Sequence, residues 1–82
     1  MENITLKDHA VDRLAERYNF KLKHELDAIR FLLNLRQFRI RKQDACRRVW
    51  IVSIRLKGEI VQLVYNPIEQ VVVTALPKDA KI

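Results

Sequence analysis

A chain of 82 residues with 16 Lys and Arg, 10 Asp and Glu and a formal net charge of +6 reads as one small basic domain. Its 49% hydrophobic content, single Gly and two Pro exclude a disordered chain, and no apolar run approaches the roughly 18–20 residues that a membrane span needs. Residues 1–5 lack the basic and apolar regions of a signal peptide, and the lone Cys46 cannot close an internal disulfide; both favour a cytoplasmic protein with no membrane partner. Such a charge points to nucleic acid first and to an acidic protein second.

Thr5, followed three residues later by Asp8, resembles a capping box with Asp in place of Glu and predicts a first helix over residues 6–18. Ala10, Val11, Leu14, Ala15 and Tyr18 recur at the 3/4 spacing of a buried helical face. Asn19 is the expected stop, because Asn tolerates the left-handed conformation that ends helices. A second helix is expected over 24–35, where Leu26, Ile29, Phe31, Leu32, Leu33 and Leu35 give an apolar surface broad enough to lie across a sheet.

The period then changes to two. A short strand is expected over 38–41, a turn over 43–46, and strands over 48–56, 60–65 and 71–76, the last ended by Pro77. Lys57-Gly58 puts the only glycine where a two-residue hairpin needs one. The order predicts an α+β domain, with two N-terminal helices packed on one face of a three- to four-stranded antiparallel sheet. It spans residues 1–77 and leaves 78–82 as a loose tail.

The hairpin sets a register. Trp50 should face Tyr65, Val52 Leu63, Ile54 Val61 and Leu56 Glu59, so Trp50, Val52, Ile54, Val61, Leu63 and Tyr65 make an apolar face under the helices. Pairing Tyr65 with Val71 adds Val71, Val73 and Ala75 to that face. It also aligns Ser53, Gln62 and Thr74 as a polar row on the other face, with Arg55 one step away. An outer face meeting water needs polar residues in any case.

Two groups of residues carry candidate chemistry. His9, Arg13 and Arg17 recur at i, i+4, i+8 along one flank of the first helix. One imidazole and two guanidiniums on one ridge can bind phosphate and pass a proton near neutral pH, although such a row serves equally as a solvated face. The second group is the segment Arg36-Gln37-Phe38-Arg39-Ile40-Arg41-Lys42 with Arg47-Arg48. Its cations around an aromatic read as a groove for a phosphate backbone, or as an edge strand guarded by charge. Arg39, Arg41, Lys42, Arg47, Arg48 and Arg55 are the candidate nucleic-acid contacts. A single Gly allows no phosphate loop, and two scattered His with one Cys supply no zinc set, so neither cofactor nor metal is expected. Asp8, Asp12 and Glu16 read as a solvated face rather than a metal site.

The motifs His9-Ala10-Val11-Asp12-Arg13-Leu14-Ala15-Glu16-Arg17 and Val73-Thr74-Ala75-Leu76-Pro77 carry a resemblance. They resemble the His-Ala-x-x-Arg-x-x-x-Arg helix and the Val-Thr-x-x-Pro-like last strand of one branch of the barnase, EndoU, colicin D and RelE superfold of ribonucleases and toxins. The resemblance spans residues 4–77. It implies metal-independent RNA cleavage by attack of the ribose 2′-hydroxyl on the adjacent phosphate, in a protein that is phage- or plasmid-borne and has an antitoxin. It makes His9 the general acid or base, Arg13 and Arg17 phosphate ligands, and Thr74 a hydrogen-bond donor at the scissile phosphate. This chain departs from the pattern in offering no second strong acid or base on the sheet. The alternative is a non-catalytic protein whose basic surface holds nucleic acid or an acidic host protein.

Overall fold

Lys57 and Gly58 both take positive φ, 54° and 77°, as a tight hairpin turn demands. They join strands β3 (Val49–Leu56) and β4 (Glu59–Asn66) in the expected register, Trp50 opposite Tyr65 through Leu56 opposite Glu59. The structure, a computed structural model, describes residues 4–80. The part of the predicted tail at residues 81–82 lies outside the described residues.

The remaining elements are β1 (Thr5–Leu6), α1 (Asp8–Tyr18), α2 (Lys23–Asn34), β2 (Arg39–Asp44) and β5 (Val71–Ala75). The fold is α+β, with α1 over β5 and α2 over β3. The sheet departs from the expected three or four antiparallel strands: among the described residues it has five, in the order β1-β5-β4-β3-β2, and β1 runs parallel to β5. Thr5 and Leu6 are therefore a strand and not the start of the helix. Thr5 N–H donates to the Gln70 carbonyl and Lys7 N–H to that of Val72, so the expected cap at Thr5 gives way to sheet pairing. Lys7 becomes the cap residue and offers no side-chain bond. Asn19 does end α1, at φ 59°.

The core lies between the helices and one sheet face. Ala10, Leu14, Tyr18, Ile29 and Leu33 meet Val52, Ile54, Val61, Leu63, Tyr65, Val72 and Ala75. The first turn of α2 is held by Glu25. Its Oε1 accepts the Lys21 and Leu22 N–H groups, both at 3.0 Å, and its Oε2 pairs with Lys57 Nζ at 2.6 Å. The Lys57 hydrogen bond, followed by that of Leu22 N–H, holds the Glu25 carboxyl below its ordinary value of 4.5. A depressed folded-state value means that this stabilisation is complete above pH 4.5 and is lost as pH falls through the folded value. Glu25→Gln should therefore lower Tm at neutral pH and flatten the loss of stability below pH 4.5, as melts across an acid series would measure.

Three local readings change. The turn after β2 is residues 45–48 rather than 43–46, because Asp44 Oδ1 accepts Arg47 N–H at 3.2 Å and the strand runs on through Gln43 and Asp44. The loop before β5 is one residue shorter than expected. Asn66 Oδ1 accepts the Ile68 and Glu69 N–H groups, which leaves the Asn66 backbone to pair with Val71 and Tyr65 with Val72. A bulge between Val64 and Tyr65 then sets Thr74 opposite Val64 and Ala75 opposite Leu63. Val72 and Ala75, not Val71 and Val73, are the buried residues of β5. Thr74 accordingly does not stand opposite Gln62; Leu76 does, donating its N–H to the Gln62 carbonyl at 2.8 Å.

Tyr18 completes that end of the sheet. Its hydroxyl donates to the Leu76 carbonyl at 2.7 Å and accepts the Gln62 N–H at 3.2 Å, bridging the two strands where β5 leaves the ladder. Burial pushes the phenol above its ordinary value of 10.0, so it stays protonated and able to donate. Tyr18→Phe strands one donor and one acceptor and should cost about 1–3 kcal/mol, readable in a urea titration. Lys78 pairs with Glu59 beside this junction, and Ala80 N–H donates to the Pro77 carbonyl at 3.1 Å.

Candidate nucleic-acid interface

Side chains directly opposite in an antiparallel pair share a face. Val52 and Ile54 point to the core, so Ser53 and Arg55 point to the outer face, with Gln62 opposite Ser53 and Ile60 opposite Arg55. On the next strand Arg39 stands opposite Ser53. A bulge between Ile40 and Lys42 makes Arg41 an extra residue and turns it to the same side. Arg39, Arg41 and Arg55 then surround a concavity of about 280 Å³ lined also by Ser53 and Ile60. Ser53 is buried at its floor, while the three arginines are exposed. None of the three forms an ion pair among the described residues. Three uncompensated guanidiniums around one hollow make a region of positive potential that a phosphodiester fits in charge and hydrogen-bonding geometry.

The other three predicted contacts separate from this hollow. Lys42 faces outward beside it, opposite Ile51. Arg48, at φ 57°, closes the 45–48 turn and lines a different hollow with Trp50, Pro67 and Ile68. Arg47 pairs with Asp44 at 3.7 Å and is 82% exposed. Its charge is partly compensated and screened by water.

The α1 ridge lies on the helix side. His9 is exposed near the N-terminal end of α1. Arg13 Nη1 donates to Glu16 Oε2 at 2.8 Å, and Arg17 Nη1 donates to the Ala75 carbonyl at 2.7 Å. β1 pairs with Val71 and Val72 of β5, and the Arg17 guanidinium satisfies a carbonyl further along that strand. The ridge thus ends one residue in sequence from Thr74, but the Thr74 side chain, opposite Val64 while its neighbour Ala75 faces the core, lies on the outer face and not with the ridge. No family model, curated protein or solved structure matches this chain.

Tyr65, whose hydroxyl the register placed under the helices, is buried there with its ring edge-on to Phe38 at 6.2 Å. Among the described residues no group of three or more His, Cys, Asp and Glu is placed to hold a metal ion, and no helix is long and apolar enough to cross a membrane. Ile60, 53% exposed beside Arg55, is an outer-face residue that the sequence did not single out as a contact. Its only signal was its place in the alternation of β4, opposite an arginine.

Proposed function

We propose that this protein acts on RNA as a small cytoplasmic metal-independent ribonuclease of the toxin type, phage- or plasmid-borne and paired with an antitoxin. The phosphate backbone lies in the outer-face hollow, and cleavage proceeds by 2′-hydroxyl attack at the α1–β5 edge. The observation that carries the RNA reading is the convergence of Arg39, Arg41 and Arg55 without a carboxylate partner among the described residues. Cleavage is supported by the anchoring of the ridge to β5 through Arg17. His9 is the general acid or base, Arg13 and Arg17 meet the phosphate from the helix side, and Thr74 reaches it from the outer face across the edge. Only one nitrogen of each guanidinium is engaged in the contacts described, so donors remain for a phosphate oxygen.

The second reading is binding without cutting, in which the same face holds RNA, DNA or an acidic host protein. It is favoured by one feature: the arginine hollow and α1 lie on opposite sides of the sheet.

Incubating the protein with total RNA and with tRNA in EDTA separates the two. The expected result is discrete fragments from the wild type and roughly 10²–10⁴-fold slower cutting by His9→Ala, with the native-gel shift retained. Intact RNA with a retained shift leaves the binding reading alone. Intact RNA without a shift removes nucleic acid as the partner.

A further inference from the structure

β2 is an outermost strand, paired only to β3, so its second edge presents backbone N–H and C=O groups with no strand against them among the described residues. All of Arg39, Ile40, Arg41, Lys42 and Gln43 are exposed. The register sorts their side chains. Arg39, Arg41 and Lys42 lie to the outer face, and Ile40, opposite Val52 and 40% exposed, lies to the helix side. The edge is therefore basic on one side and uncharged on the other, where Ile40 and Gln43, opposite Val52 and Trp50, lie. A second copy of β2 would set arginine against arginine, which disfavours self-pairing.

We infer that the β2 edge is the docking strand for an extended segment of a protein partner in which acidic and apolar residues alternate. Backbone pairing supplies affinity, and the alternation supplies selection. Carboxylates on the segment meet Arg39 and Lys42 from the outer face, and an apolar residue covers Ile40. Because Arg39 and Arg41 also line the hollow assigned to RNA, the docked segment competes with RNA. This last step rests on the RNA reading, whereas the strand pairing does not.

The test uses the full chain and a short synthetic peptide alternating Glu and Val. Two controls accompany it: the same peptide N-methylated at every second residue, and polyglutamate of equal charge. The alternating peptide is expected to slow amide exchange in Arg39–Asp44 and to bind about tenfold or more tightly than either control. Ile40→Lys should weaken it by a similar factor without a change in Tm, since Ile40 is outside the core. Arg39→Glu with Arg41→Glu should transfer the preference to a Lys–Val alternating peptide. Equal binding of all three probes, protection at another site, or no binding overturns the inference. Competition with a single-stranded oligoribonucleotide reads the regulatory step. Strand pairing in a protein that shifts no RNA would leave the docking edge standing and remove the RNA reading.

Discussion

Leu14→Ala is expected to destabilise the protein by about 2–5 kcal/mol and to lower Tm by roughly 10–30 °C, as a thermal melt followed by circular dichroism would show. Leu14 is fully buried on α1, which packs over β5. Removing its side chain leaves a cavity that neighbouring strands close only in part. A domain this small has a modest core, so a loss of that size is a large share of its total stability. Phe31→Ala removes a larger side chain and is the matched control. Phe31 is 62% exposed on α2, and its loss should stay within about 0.5 kcal/mol. Equal losses from the two substitutions would contradict the burial described for α1.

The double substitution Arg39→Glu and Arg41→Glu is expected to weaken RNA binding by about two orders of magnitude or more at low salt. Each reversal removes a cation from the outer-face hollow and sets a like charge against the backbone. Both side chains are exposed and lack an ion pair among the described residues, so Tm should hardly move. The slope of log K against log salt should become shallower by about 1.4, two single-strand phosphate contacts at about 0.7 each. Arg47→Glu is the internal control. Arg47 pairs with Asp44 and lines no part of the hollow, so its reversal should cost much less. An equal loss per reversed residue from Arg47 and from the double variant would mean that overall charge, not the hollow, attracts the nucleic acid. Filter-binding titrations at several salt concentrations measure both quantities.

The arginine-rich stretch illustrates what could be read in advance. Its charge and its place beside a strand were visible in the residues themselves, and so was its double meaning as a phosphate groove or a guarded edge. Which cations act together was not visible. That depends on the bulge that turns Arg41 beside Arg39, on the pairing that brings Arg55 across from the next strand, and on the Asp44 contact that withdraws Arg47. The α1 ridge divides in the same way. The i, i+4, i+8 spacing placed His9, Arg13 and Arg17 on one flank of a helix. Their differing partners, Glu16 for Arg13 and the Ala75 carbonyl for Arg17, follow from where α1 sits on the sheet.

By itself the sequence determined the features governed by short-range physics. A glycine-bearing two-residue turn between alternating strands admits one register, and β3 and β4 take it from Trp50 opposite Tyr65 onward. An Asn at the end of an amphipathic helix supplies the left-handed stop found at Asn19. Only the tertiary structure decided the rest, because the competing local options differ little in energy until distant groups meet. Thr5 is as good a helix cap as a strand residue until Gln70 and Val72, near the other end of the chain, offer their carbonyls to Thr5 and Lys7. The Asn66 loop can close with four or five residues until its side chain accepts two backbone N–H groups and β5 bulges to bury Val72 and Ala75 together.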